Sequence, residues 1–308
     1  MAFTSRPYAD VADLHKIQAA TASWIASAGF CGYLHVGDIA LRLFNGMRRY
    51  NPSDIIRLWE GANGGLVGWA FVCPPWQSYD ALLHPAHLGG DLEGSILDWC
   101  EQQTAGWMQR EGTEDKPMRV EVFEDDRARI RVLEARGYVP GKQPFVIGVR
   151  SLDDPTPDGR LPSRFSIRSV AGAHEADQVI EAMNASFDWS WTPDEYRRVI
   201  QSPGYPELLV VVAPDGRVAS FCYLMLDSVN KLGMFEDVGT HPDFQRRGLA
   251  RALLYEGMRR MKAYGMDTAL VPHLTSLTAA PALYESVGFR PEYHLEHYCK
   301  AMEKSSPR

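Results

Sequence analysis

Residues Gln245-Arg246-Arg247-Gly248-Leu249-Ala250 join an apolar strand to a helix. The strand side reads Phe235-Glu236-Asp237-Val238-Gly239-Thr240 and is broken by His241-Pro242. The helix side carries Leu249, Leu253, Leu254, Gly257 and Met261 at a 3.6-residue period. A glycine at the joint, two arginines before it and small residues after it make a nest of backbone N–H groups at a helix start. Those N–H groups have no intrahelical partner and the helix dipole is positive there, which suits a pyrophosphate. Gly248 has no Cβ to hold a ligand away from the backbone. Just upstream, Glu236 and Asp237 could take a proton; strand alternation sends them to opposite faces, so at most one should meet an acceptor. Downstream, Tyr284 stands in Ala282-Leu283-Tyr284-Glu285-Ser286-Val287-Gly288-Phe289, a helix that stops at a glycine turn.

These residues belong to the second of two similar halves. Ser151 to Pro162 carries three prolines and no apolar period, so it reads as a linker between domains at 1–150 and 164–308. In the second half, Leu208 to Ala213, Pro214-Asp215-Gly216 and Val218 to Leu226 predict a β-hairpin. In the first, Ile55 to Trp59 and Leu66 to Val72 predict the same hairpin with a longer loop. A His-Pro pair follows each, at His84-Pro85 and His241-Pro242, and each half closes with Gly-Tyr or Gly-Phe. Gly65 precedes Gly137 by as many residues as Gly216 precedes Gly288, which suggests duplication of one fold.

The 308 residues, 45% hydrophobic and 23% charged, are enough for two soluble domains. A formal charge of −7 argues against a nucleic-acid backbone as partner. Five scattered cysteines without a Cys-x-x-Cys pair predict neither a zinc site nor a disulfide framework, and fit a cytoplasmic protein. The first residues lack the apolar core of a signal peptide, and no run approaches the ~18 apolar residues of a membrane helix.

The loop pattern Gln/Arg-x-x-Gly-x-Gly/Ala, filled by Gln245, Gly248 and Ala250, resembles the acetyl-CoA loop of the GNAT N-acetyltransferase superfamily. The segment around Tyr284 resembles the same superfamily's "LYExxGF" stretch. The resemblance implies an α/β fold, here two tandem GNAT-like domains, each a twisted mixed β-sheet flanked by helices. It implies an enzyme that uses acetyl-CoA to acetylate the amine of a small molecule by direct attack on the thioester. It also implies roles: Glu236 as base, with Asp237 the alternative, and Tyr284 as acid beside the CoA sulfur. A backbone N–H near Val238 would stabilise the oxyanion. Val238, Gly239 and Thr240 would pair with the pantetheine arm, and Gln245, Arg246, Arg247, Gly248, Leu249 and Ala250 would hold the pyrophosphate. The family's asparagine before this tyrosine is absent, with Leu277 in its place.

The first half departs from the pattern. Aligned from His84-Pro85, Asp91 falls opposite Gly248, and Leu133 falls opposite Tyr284. A carboxylate there would repel pyrophosphate, so one acetyl-CoA per chain is expected, in the second domain. For the acceptor, Phe187, Trp189 and Trp191 are candidate walls, with Tyr196, Tyr293 and Tyr298 across from them and Asp188, Asp194 or Glu296 at the rim. Trp189 and Trp191 can equally anchor a loop before a helix that starts at Thr192-Pro193. His294 and His297 should face opposite sides of a strand, so no metal pair is expected. Two other readings remain open: a cysteinyl-sugar acetyltransferase, as in tandem proteins of low-molecular-weight thiol synthesis, and a non-catalytic acyl-CoA-binding module.

Overall fold

The computed structural model describes residues 3–141 and 145–302. The first half contains β1 (Phe3–Pro7), α1 (Val11–Ala28), α2 (Val36–Leu41), α3 (Pro52–Ile55), β2 (Ile56–Gly61), β3 (Leu66–Cys73) and β4 (Ser78–Leu83). It continues with α4 (Asp91–Glu111), β5 (Met118–Phe123), α5 (Arg127–Ala135), the short β6 (Val139–Pro140) and β7 (Phe145–Ser151). Residues 152–165 form neither helix nor strand. The second half contains β8 (Ser166–Ser169), α6 (Ala176–Phe187), α7 (Pro193–Val199), β9 (Glu207–Val212), β10 (Val218–Asp227) and β11 (Leu232–Thr240). It ends with α8 (Leu249–Ala263), β12 (Thr268–Leu274), α9 (Ala279–Ser286) and β13 (Arg290–Lys300).

Local sequence explains several of these starts and stops. The Asp215-Gly216 turn gives the β9–β10 hairpin, with Gly216 at φ 88°. Thr192 caps α7 through a reciprocal pair: its Oγ1 accepts from the Glu195 N–H at 3.2 Å, and the Glu195 carboxylate accepts from the Thr192 N–H at 2.9 Å.

All strands join one mixed sheet, in the order β1-β2-β3-β4-β5-β13-β7-β12-β11-β10-β9-β8, with β6 beside β13. The two expected sheets are therefore joined edge to edge, by an exchange of final strands. β7 ends the first half of the chain but lies between β12 and β13 of the second. β13, the last strand of the described residues, lies between β5 and β7, so that Leu295 pairs with Phe123 on one side and Phe145 on the other. Ile147, Leu270, Leu295 and Phe221 share a buried cluster with Leu58 and Trp69 of the first half. A second cluster lies under α8, around Phe235, Leu253 and Met258.

Two features of this frame shape a site. β11 and β12 run parallel and pair only at Leu232–Met234 with Thr268–Leu270, then splay. The backbone of β11 beyond Met234 is left open on that side. On the opposite flank, α2 of the first half lies against β10 of the second. Gly37 permits the approach: a Cβ there would stand 2.6 Å from the Met225 Cβ. His35 Nε2 donates to the Leu232 carbonyl at 3.1 Å, fixing the same contact.

Candidate active site

The α8 start is open to an anion. Gly248 is its N-cap at φ 77°, a left-handed conformation that favours glycine, and no side chain caps it. Arg246 also has positive φ, 63°. Among the described residues, the N–H groups of Arg246, Arg247, Gly248, Leu249 and Ala250 have no hydrogen-bond partner. The Gln245 amide donates to the Thr240 carbonyl at 3.3 Å, and Arg247 donates to the Asp243 carbonyl at 3.0 Å, so the loop is braced by its own side chains. This donor set fits a pyrophosphate.

A β-bulge shapes the strand before it. Tyr223 pairs with Glu236 and Phe221 with Gly239, so β11 carries an extra residue. Asp237 takes up the excess at φ 48°. The bulge cancels the alternation expected of Glu236 and Asp237, and both carboxylates line one cavity. That is a correction to the expectation that at most one would.

The cavity, about 800 Å³, lies between the halves. Trp189 and Trp191 line it, with Asp188 between α6 and α7. Phe187 is not in the lining: its ring packs on Trp189 at 4.7 Å and on Phe221 at 5.7 Å. Tyr196, Tyr293 and Tyr298 are also elsewhere. Tyr196 is buried in the core, Tyr293 packs against Phe30 and Phe123, and Tyr298 is buried opposite Pro140 of β6. Asp194 pairs with Arg197 on α7 at 2.7 Å.

The rest of the wall comes mainly from the first half, joined by His297 of β13, and the sequence does not mark these residues as part of an acceptor site. Asp38 on α2 and Arg42, which opens a π-helical turn over Arg42–Gly46, face the cavity beside Asp80, Glu121 and His297. Arg42 ties them together. Its Nε donates to Asp38 at 2.6 Å, its Nη1 donates to Asp80 at 3.1 Å, and its Nη2 is 3.8 Å from Glu121. His297 Nε2 lies 3.4 Å from the other Glu121 oxygen. The only local signal was the i, i+4 spacing of Asp38 and Arg42, common to any solvated helix pair.

Crowded carboxylates shift one another. Burial and the neighbouring Asp38 push Asp237 up to about 7. Burial, then Asp38 and Asp237, push Glu236 well above the usual carboxylate range, against a smaller pull from Arg42. Burial pushes Asp80 up to about 6 despite Arg42. At Glu121 burial works the same way, but His297 and Arg42 outweigh it and hold the carboxyl below its usual range.

Tyr284 sits on α9, buried, with its ring 5.6 Å from His273 and 6.2 Å from Phe289. Burial, then the Glu236 charge, raise its phenol well above the ordinary value, so it stays protonated at neutral pH. Val238 is half-buried on the open stretch of β11. Ser220 Oγ donates to the Gly239 carbonyl at 2.6 Å and is 2.9 Å from Thr240 Oγ1, which holds this stretch against β10.

The corresponding helix start in the first half is already filled. Glu93 on α4 accepts from the Gly89 N–H at 2.6 Å and lies 3.1 Å from Arg129, which also donates to the Ala81 carbonyl of β4 at 3.0 Å. Gly90 is the N-cap, with Asp91 the first helical residue. The loop after His84 is one residue shorter than the loop after His241. Gly90 therefore takes the place that Gly248 has, and the alignment of Asp91 with Gly248 is corrected by one position. Leu133 is fully buried.

Among the described residues, no helix is long and apolar enough to cross a membrane, and no group of three His, Cys, Asp or Glu side chains could hold a metal ion.

Residues 176–289 match the Acetyltransferase (GNAT) family. The chain is 33% identical over 127 residues to the [ribosomal protein bS18]-alanine N-acetyltransferase of Salmonella typhimurium, covering 41% of this chain and 79% of that protein. It is 24% identical over 266 residues to the mycothiol acetyltransferase of Segniliparus rotundus, covering 80% of this chain and 92% of that one. Among solved structures, a tandem GNAT protein from the clavulanic acid biosynthesis pathway has the same fold, with a TM-score of 0.69 at 13% identity, covering 99% of this chain and 100% of that one. A GCN5-related N-acetyltransferase from Sphaerobacter thermophilus gives 0.63 at 20% identity, covering 97% and 95%.

Proposed function

The chain belongs to the GNAT acetyltransferase family, and we propose that this N-acetyltransferase moves the acetyl group of acetyl-CoA to the amine of a small molecule held in the cavity between its halves. One observation carries the reading. β11 parts from β12 beyond Met234, carries Glu236 and Asp237 into the cavity, and leads on to the uncapped helix start at Gly248.

Acetyl-CoA supplies the activated acyl group as a thioester. The free N–H groups from Arg246 to Ala250 bind its pyrophosphate, and the open backbone of Val238 to Thr240 pairs with its pantetheine arm, as an added strand would. The acceptor arrives as an ammonium ion and is attracted by the Glu236–Asp237 pair. One of these carboxylates, in its ionised form, takes the proton and frees the nitrogen lone pair. A backbone N–H near Val238 steadies the charge that develops on the carbonyl oxygen. Tyr284, protonated at neutral pH, returns a proton to the leaving thiolate. The Glu93–Arg129 pair leaves the first half without a second donor site, and that half serves as one wall of the acceptor cavity.

A second reading, a cysteinyl-sugar amine as acceptor, is favoured by the similarity to mycothiol acetyltransferases over most of both chains. Release of CoA thiol across a panel of small amines, cysteinyl glycosides and lysine peptides separates these readings. Preferential turnover of a small amine supports the first. Preferential turnover of the glycosides supports the second. A lysine peptide preferred by a wide margin would contradict both.

A further inference from the structure

The acceptor cavity is polarised. Asp80, Glu121 and His297 form one row of the sheet, since Ser78 pairs with Arg119 two residues earlier and His297 pairs with Glu121. Asp38, Glu236 and Asp237 line the same cavity beside that row. On the same strand face, one row outward, stand Ser78 and Arg119. The helical wall repeats the order, with Asp38 and Arg42 first and Arg48 and Arg49 farther along.

Arg42 is engaged by three carboxylates. The rim arginines are not. Arg119 uses Nε and Nη2 on the Trp76 carbonyl, at 3.1 and 2.7 Å. Arg48 and Arg49 share one carboxylate, Glu195, at 3.3 and 2.7 Å. Arg48 also donates to the Asn45 carbonyl and stacks over Trp191, 3.9 Å from the ring centroid. Among the described residues, Nη1 of Arg119 and both Nη atoms of Arg49 have no hydrogen-bond partner. Among the described residues, Asp188 is the one carboxylate in the rim lining, on an exposed turn. The floor lacks enough positive charge for its carboxyls, and at the rim Glu195 offsets the burial of Arg48 only in part. Floor carboxyls at Asp80, Glu236 and Asp237 are pushed up, and burial and Arg49 push the Arg48 guanidinium down.

The geometry points to an acceptor with two unlike ends: an amine held by Asp38, Glu236 and Asp237, and an oxyanion group held at the rim by Arg119, Arg48 and Arg49. A guanidinium edge matches a carboxylate or phosphate in two parallel hydrogen bonds, which an alkyl or ammonium tail cannot accept. The charge pattern therefore selects among amines of equal length. This inference rests on the Glu236–Asp237 end being the amine end, as proposed above.

The test is kcat/KM by CoA thiol release for matched alkylamines, α,ω-diamines, ω-amino carboxylates and ω-aminoalkyl phosphates of graded chain length. At the best length, an anionic tail should raise kcat/KM about tenfold or more over the alkylamine, with the diamine below both. The carboxylate and phosphate arms decide which oxyanion the rim takes. Arg119→Gln and Arg49→Gln should each narrow the preference several-fold, and Arg119→Glu should shift it toward the diamine. Thermal melts check that each variant is folded. Equal or better turnover of alkylamine or diamine overturns the inference while leaving the amine reading intact, as does a preference that survives all three variants. Acetyl-CoA binding without transfer to any amine overturns both.

Discussion

Glu236 and Asp237 present adjacent carboxylates to one cavity, with the Asp237 N–H 3.3 Å from Glu236 Oε2. The bulge at Asp237 makes this possible, and burial beside Asp38 makes each carboxyl hold its proton more tightly. A base must be ionised to act. We expect kcat/KM to rise with pH through about 7, the value to which Asp237 is pushed. A pH–rate profile checks this. A profile flat from pH 5 to 9, with chemistry limiting the rate, would remove the pair from catalysis.

The same shift has a sign in stability. A carboxyl whose folded pKa is raised favours the folded state when protonated, and that contribution is lost as pH rises through the folded value. For Asp237 the loss runs from its unfolded range near 3.8 up to about 7. Asp237→Asn should therefore raise Tm by at least ~2 °C at pH 8, with the gain shrinking as pH falls toward the unfolded value. Differential scanning calorimetry at several pH values measures it, and a gain that grows on acidification contradicts the assignment.

Gly248 stands at φ 77° with free N–H groups around it. Gly248→Asp adds a carboxylate to that nest and strains the backbone. Acetyl-CoA affinity should fall by at least the ~1.5–3 kcal/mol of one charge-assisted hydrogen bond. Calorimetric titration should give one site per chain in the wild type. Two equivalent sites, or unchanged affinity in the variant, contradict the account.

Tyr284→Phe keeps the ring packing on His273 and Phe289 but removes the proton. If the phenol acts as charge develops on sulfur, kcat should fall about 10²-fold or more while KM for acetyl-CoA changes little. A variant with wild-type kcat under chemistry-limited conditions would leave Tyr284 a packing role alone.

Strand exchange predicts one cooperative unit. A fragment of residues 152–308 lacks β7, so β12 loses its partner along Phe145–Ser151, and β13 loses both β5 and β7. Edges of that length do not stay unpaired. We expect the fragment to show no cooperative thermal transition, and the full chain to melt in one. Two resolved transitions in the full chain would contradict a shared core.

What the sequence made legible was local. The α8 loop, the Asp-Gly hairpin and the Thr192 cap each rest on a few neighbouring residues whose backbone preferences are strong. The bulge at Asp237 is not readable, because it depends on how β10 pairs with β11. The exchange of β7 and β13 is equally hidden, since each strand would satisfy its pattern beside either half. Asp38, Arg42, Asp80, Glu121 and His297 look like ordinary polar positions along the chain. They form a wall because α2 docks at Gly37 and because β13 crosses into the first half, both long-range events.

The measurement closest to the central claim is acetyl transfer to a small amine by the wild type and by Glu236→Gln/Asp237→Asn, with product identified by mass and acetyl-CoA affinity measured in parallel. The account predicts one N-acetylated product per CoA released by the wild type. In the double variant kcat/KM should fall at least ~10²-fold with acetyl-CoA affinity nearly unchanged. Wild-type transfer rates in the double variant, with chemistry rate-limiting, would contradict it.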